Sequence, residues 1–302
     1  MGDPARVVFC TSSRSERGMI EPLLRRLDAR YDLKLLELPV SFGGAYEVAT
    51  EYLRLSGKPR LAFTPFDRLE MLACCIAFYQ AGVPIAQLHA GDWAGGGIWD
   101  DTVRMMITLC SDIQFCASQK SLERTVQLLK LADKPISRAY MVGSIQFDDL
   151  ELDESVVPKY GYDLVLYNPP NGRLELIPSE LDEVEGLLDS EKLTVWVYPN
   201  EDAGCEAIIG RIERLELKSL YYKHEKPRVK GFKSLPRPQY LALMKHADRV
   251  IGNSSSFFVE LPYFKKTHVH VGLRNRDRER VEPVVGGSDR VVEVVASLIE
   301  DL

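Results

Sequence analysis

The sequence predicts an α/β protein built from two doubly wound domains facing a central cleft, each a parallel sheet with helices on both faces. Three observations lead there. Strand-like apolar runs alternate with helix-like amphipathic runs along both halves of the 302 residues. An acidic, proline-containing stretch at 151–160 interrupts that alternation near the middle. The polar residues fit for chemistry gather just beyond the strand-like runs, where open parallel sheets bind ligands. A chain of this length also outgrows one comfortable core. The expected division is 1–157 and 158–302, with the terminal helix able to pack back on the first domain.

The elements follow in order. Val7–Cys10 is a continuous apolar run and reads as a buried strand, and Gly18–Arg26 carries Met19, Ile20, Leu23 and Leu24 at helical spacing. Leu33–Leu38 is a second strand, followed by a Gly-Gly turn at 43–44 and a helix over roughly 45–55. Arg60–Thr64 is a third strand and Leu69–Ala81 a buried helix; Gly82-Val83-Pro84 then leads into strand Ile85–His89. A loop with Gly91, Gly95, Gly96 and Gly97 precedes a helix over roughly 100–110. Strand Asp112–Cys116, helix Ser118–Leu131 and strand Ala139–Val142 complete the first half. Such repeated units imply a parallel sheet covered on both faces. Beyond the break come strand Asp163–Tyr167, a helix over roughly 179–189, strand Leu193–Val197 and helix Cys205–Leu215. Helix Tyr240–His246, strands Arg249–Ile251 and Val269–Val271, and an amphipathic tail from Asp289 to Leu302 end the chain.

Composition excludes several classes. A net charge of −6 argues against a nucleic-acid partner, which calls for a basic patch or stripe. No apolar run is long enough to span a bilayer, and the N-terminus runs into a strand without a signal-peptide pattern. The six cysteines lie mostly in apolar runs without paired metal spacing, so buried thiols are expected rather than disulfides or metal ligands. The expectation is a cytoplasmic protein with no membrane and no nucleic-acid partner.

Residues 248–263 are the most informative. Arg249-Val250-Ile251 is a strand, Gly252-Asn253 a turn, and Ser254-Ser255-Ser256 the expected start of a helix. A strand turning sharply into a helix leaves unpaired N–H groups aimed at one spot, and the helix dipole favours an anion there. Three hydroxyls add donors, and Glu260 follows one turn on, placed to accept from sugar hydroxyls. This reads as a pocket for a nucleotide diphosphate, and equally as a plain serine N-cap. In the first half, Asp67 follows one strand, His89 and Asp92 close another, and Asp100, Asp101 and Arg104 open a helix. Carboxylates around one histidine in a partly dehydrated cleft suit proton transfer. Asp100 also fits a helix N-cap, Asp67 an Asx turn, and the glycines a flexible loop or a lid.

These motifs, in their order, resemble the hydrolysing UDP-N-acetylglucosamine 2-epimerases, particularly the branch that feeds sialic acid synthesis. Thr11-Ser12-Ser13-Arg14-Ser15-Glu16 is similar to that family's Thr-Gly-Thr/Ser-Arg-Ala-Glu, and Phe66-Asp67-Arg68 to its Gly-Asp-Arg. Leu88-His89-Ala90-Gly91-Asp92 resembles Ile-His-Gly-Gly-Glu, and the run Gly97 to Arg104 resembles Gly-Ala-x-Asp-Glu/Asp-x-Ile-Arg. Gly252-Asn253-Ser254-Ser255-Ser256 matches Gly-Asn-Ser-Ser-Ser, and Gly272-Leu273-Arg274-Asn275 is similar to Gly-Asp-Arg-Gln. There are departures. Asn168 stands where the family has a catalytic histidine, Phe257 replaces a glycine, Asp92 is one methylene shorter than the usual glutamate, and the chain is short.

The resemblance implies two Rossmann-like domains of glycosyltransferase-B type, a homodimer, a UDP-sugar substrate, and neither metal nor nicotinamide cofactor. It implies catalytic roles at Asp67, His89, Asp100, Asp101 and the Asn168 position. Substrate binding is implied at Arg14, Asp92, Arg104, Ser254, Ser255, Ser256, Glu260 and Arg274. The expected reaction releases UDP and N-acetylmannosamine by elimination and then hydration. A glycosyltransferase on the same scaffold, or a nucleotide-sugar-binding protein without turnover, are the alternatives.

Overall fold

The computed structural model describes residues 4–12, 14–95, 99–170, 172–200, 202–221, 228–276, 278–281 and 284–302. The chain divides into two compact units. One comprises Met1–Trp93, Trp99–Leu150 and Val281–Leu302, the other Ala94–Ile98 and Glu151–Arg280.

The first unit holds six parallel strands: β1 (Arg6–Thr11), β2 (Asp32–Glu37), β3 (Leu61–Phe63), β4 (Ile85–Leu88), β5 (Ile113–Cys116) and β6 (Ala139–Met141), in the order β2-β1-β3-β4-β5-β6. Helices α1 (Arg14–Asp28), α2 (Phe42–Ser56), α3 (Leu69–Gln80), α4 (Trp99–Cys110) and α5 (Gln119–Leu131) connect them. Strand residues alternate between the faces. Val7 and Phe9 point into a core with Leu23, Phe63 and Phe115, while Val8 and Cys10 enter a second core with Ala62, Met71 and Cys74. Phe9 stacks on Phe63 at 5.1 Å between ring centroids. The last helix of the chain, Gly287–Leu298, belongs to this unit and buries Val291, Val292 and Val295 in the Phe9 core.

The second unit holds β7 (Tyr162–Leu166), β8 (Leu193–Val197), β9 (Arg228–Phe232), β10 (Arg249–Gly252) and β11 (His268–His270), all parallel, in the order β11-β10-β7-β8-β9. Its helices are α6 (Ile177–Leu187), α7 (Cys205–Tyr221), α8 (Arg237–His246) and α9 (Ser256–Tyr263), which makes the terminal helix α10. Strand β9 is an element the sequence pattern does not announce. Arg228-Val229-Lys230-Gly231-Phe232 is charged and contains a glycine, as suits the sheet edge where it lies.

Several boundaries differ from expectation for local reasons. Helix α4 begins at Trp99, so Asp100 is a first-turn acid and not the cap. Helix α9 begins at Ser256, not Ser254. Gly252 has φ +134°, and a Cβ there would collide with the Leu166 carbonyl, so the turn out of β10 needs glycine.

In each sheet the connections reverse direction once. The reversal falls between β1 and β3 in the first unit and between β7 and β10 in the second. The carboxyl ends of those strands are where such sheets bind ligands. No helix among the described residues is long and apolar enough to cross a membrane. All six cysteines are free thiols.

Candidate functional site

In the first unit, the loops leaving β3 and β4 and the first turn of α4 assemble a buried charged cluster around one arginine. Arg104, one turn into α4 and 3% exposed, donates from Nη1 to Asp101 Oδ1 at 3.0 Å and to the Asp92 carbonyl at 2.7 Å, and from Nη2 to Asp67 Oδ2. The Asp101–Arg104 contact follows from their i, i+3 spacing on a helix. Asp67 arrives from the loop after β3, 37 positions away in sequence. Arg104, an expected substrate contact, thus bonds two carboxylates and a loop carbonyl within the first unit. Asp100 lies half-buried beside Asp101.

His89, just past β4, donates to or accepts from Asp92 Oδ2 through Nδ1 at 2.8 Å, and Asp92 Oδ1 accepts from Ser121 Oγ at 2.7 Å. Asp92, an expected substrate contact, is 8% exposed and meets the histidine through one carboxylate oxygen. His89 and Phe66 both adopt left-handed backbone, φ +58° and +66°, and their rings lie 5.4 Å apart. Histidine visits that region more readily than most residues, but the bulky Phe66 does so rarely, and such positions collect at functional sites. Glu16, absent from the expected residues, is buried at 5% exposure in the same unit, its Oε2 accepting from Ser12 N and Oγ, each at 3.0 Å. Burial pushes its pKa up, against the opposing pull of Ser12 and Arg68. The side chain of Arg14 lies outside the described residues, as do Ser13, Gly96, Gly97 and Ile98.

In the second unit the expected residues meet where the connections reverse. Asn168 follows β7 and Asn253 follows β10, and they exchange two hydrogen bonds. The Asn168 N–H donates to Asn253 Oδ1 at 2.8 Å, and Asn253 Nδ2 donates to the Asn168 carbonyl at 2.9 Å. Asn168 Oδ1 accepts from the Asn200 N–H at 3.0 Å. Asn275 Nδ2 donates to the Asn253 carbonyl at 2.9 Å. An asparagine is therefore built into the loop scaffold at the place where the motif resemblance implies a proton carrier. Arg274 Nη1 donates to the Pro169 carbonyl at 2.5 Å and lies 3.5 Å from Asp202 Oδ2.

The serines divide their work. Ser254 Oγ accepts from the Ser256 N–H at 3.3 Å, and Ser256 Oγ meets the Tyr240 hydroxyl at 2.9 Å. Ser255 is exposed and makes no side-chain cap bond, so its hydroxyl stands at the start of α9 without capping it. Glu260 does sit one turn along, 5% exposed, accepting from Arg237 Nη1 at 3.1 Å. Arg237 and Tyr240 are partners that sequence spacing does not reveal, because they come from α8. Phe257 is buried, its ring 4.6 Å from that of His268.

His268 carries a pH consequence. Burial, then His270 and Arg280, depress its pKa from 6.5 to about 4. The folded state therefore binds its proton less readily than the unfolded chain. The stability from this group is complete above pH 6.5 and is lost as pH falls toward 4. Urea unfolding at steps across that window should show the decline, and His268→Asn should flatten it. An equal decline in both proteins would assign the acid sensitivity elsewhere.

Comparison with known proteins follows the same lines. A family model described as UDP-N-acetylglucosamine 2-epimerase matches residues 48–301. A relative from Legionella pneumophila, UDP-N,N'-diacetylbacillosamine 2-epimerase (hydrolyzing), is 25% identical over 331 residues, spanning 93% of this chain and 84% of the relative. The S. aureus MnaA–UDP co-structure superposes with a TM-score of 0.74 at 11% identity, covering 99% of this chain and 97% of that one. The Neisseria meningitidis UDP-GlcNAc 2-epimerase bound to UDP-GlcNAc gives 0.70 at 13% identity, covering 98% and 91%. At these identities the superpositions speak to fold, and the fold is the expected pair of Rossmann-like, glycosyltransferase-B-like units.

Proposed function

This chain belongs to the UDP-N-acetylglucosamine 2-epimerase family, and on that premise we propose that it hydrolyses UDP-N-acetylglucosamine with inversion at sugar carbon 2. The observation that carries the reading is the buried cluster in which Arg104 holds Asp67 and Asp101 beside the His89–Asp92 pair. A carboxylate removes the proton on carbon 2, and the electron pair forms a carbon 1–carbon 2 double bond as the carbon 1–oxygen bond breaks and UDP leaves. Water then adds, hydroxyl to carbon 1 and a proton to the opposite face of carbon 2, giving N-acetylmannosamine. Asp67, Asp100 and Asp101 are the acid–base groups, and His89 polarises or relays. Arg14, Ser254, Ser255, Ser256 and Arg274 hold the diphosphate, where donors offset the developing charge, and Glu260 takes the ribose.

Support for the nucleotide half comes from Ser255, whose hydroxyl makes no cap bond at the start of α9. Ser255→Ala should weaken UDP binding by about 1.5–3 kcal/mol, the usual worth of a hydrogen bond to a charged acceptor. Calorimetry returning the native affinity would remove Ser255 from the pocket. Following the motif resemblance, the proposal includes a cytoplasmic homodimer feeding sialic acid synthesis.

The test of the reaction is incubation with UDP-N-acetylglucosamine alone. Free UDP together with N-acetylmannosamine supports the proposal. UDP release only with an added acceptor would make the protein a transferase, and binding without release a sensor.

A further inference from the structure

The structure assigns a positioning role to Ser121: its hydroxyl locks Asp92, and through Asp92 it sets which nitrogen of His89 carries the proton. This deepens the proposed epimerase reading and rests on it for the catalytic consequence. Ser121 lies in the first turn of α5 and is 2% exposed. Its Oγ is 2.7 Å from Asp92 Oδ1 and 2.8 Å from Ser118 Oγ, and its N–H donates to Ser118 Oγ at 3.1 Å.

The direction of every bond in this chain is fixed by valence. An ionised carboxylate only accepts, so the Ser121 hydroxyl proton points at Asp92. The Ser118 hydroxyl must then donate to Ser121 Oγ, which leaves Ser118 Oγ free to accept from the Ser121 N–H, as it does. Asp92 Oδ2, 2.8 Å from His89 Nδ1, likewise accepts. The proton of neutral His89 is thereby placed on Nδ1, and Nε2 keeps the lone pair that can take a proton from a reacting group.

A second contact presses the same loop onto the same helix. Arg124, one turn beyond Ser121 on α5, donates from Nη1 to the Gly91 carbonyl. Gly91 has φ +71°, and a Cβ there would run into the Ser121 carbonyl and Thr125 Oγ1. The loop from His89 to Asp92 therefore lies hard against α5, and only the Ser121 hydroxyl reaches its carboxylate from that helix among the hydrogen bonds described.

Long-range 15N–1H spectra of the imidazoles test this, because the two neutral tautomers have distinct nitrogen shifts. Native protein should show His89 as a single tautomer protonated at Nδ1. Ser121→Ala releases Asp92 to swing off His89 Nδ1 and should give a mixed pattern, with kcat lowered about 10- to 100-fold, as for other residues that orient a functional side chain, and KM unchanged. Ser121→Thr, which keeps the hydroxyl, should restore both readouts. Ser118→Ala removes the helix cap but leaves Ser121 bonded to Asp92, so it should lower Tm and leave the tautomer alone. Ser121→Cys, nearly isosteric with a weak donor, carries the comparison if the alanine variant does not fold. An unchanged His89 spectrum in the alanine or cysteine variant, or a native ring protonated at Nε2, overturns the assignment. The spectra are read without substrate, so a protein lacking epimerase activity would sink the proposed reaction and leave the tautomer test standing.

Discussion

Asp67→Asn is expected to lower turnover by about 10²–10⁴-fold, the range that a positioned acid or base contributes. Asparagine keeps the volume and one oxygen acceptor facing Arg104, so the loop after β3 should hold its course, but it cannot take or return a proton. Binding of UDP should be unaffected, since four of the five residues proposed for the diphosphate, Ser254, Ser255, Ser256 and Arg274, lie in the second unit, and Asp67 in the first is not among the five. Release of UDP measured under saturating substrate, beside calorimetric UDP affinity, separates the two. Near-native turnover would shift the acid–base role to Asp100 or Asp101.

Arg104→Met is expected to cost about 3–5 kcal/mol of stability, the penalty for removing one partner of a buried ion cluster. The remaining groups explain the size. Asp101 is 4% exposed and Asp67 only partly so, and both would face each other without the cation that now separates them. The Asp92 carbonyl would lose its donor as well. Urea denaturation should show the loss as a lower midpoint with an unchanged slope. Arg104→Lys should recover only part of it, because a single ammonium cannot reproduce the planar fork that reaches three acceptors. A loss below about 1 kcal/mol would be the size of a surface pair and would mean the cluster is not buried as described.

The sequence carries the fold class because periodicity and alternation are local, and a buried parallel strand such as Val7–Cys10 is apolar on both faces. It fails at β9, where an edge strand needs no such pattern, and at the start of α9, where three serines suit either side of the boundary. For the candidate site, spacing along one element is informative and distance across elements is not. Asp101 and Arg104 pair at i, i+3 on α4, which the chain spells out. That the same guanidinium also holds Asp67, or that Ser121 reaches Asp92 across 29 positions, depends on which loops the sheet brings together. Arg237 and Tyr240 were invisible for the same reason. Asn168 shows the complementary case: its departure from the motif is plain in sequence, but its place in the Asn253 and Asn200 hydrogen bonds is not.

The return of α10 to the first unit bears on how the protein is made. Val291, Val292, Val295 and Ile299 fill the core around Phe9 and Ile20. Asp148 accepts from the N–H groups of Gly286 and Ser288 at 2.5 and 2.7 Å, and Arg60 donates to the Ile299 carbonyl at 2.8 Å. Domains generally fold as units as the chain leaves the ribosome, N-terminal first. Here the first sheet emerges early but its core stays open until Glu151–Arg280, the main stretch of the second unit, has been translated. The later-synthesised unit can therefore finish first, while the apolar surface that α10 covers stays exposed until α10 is made.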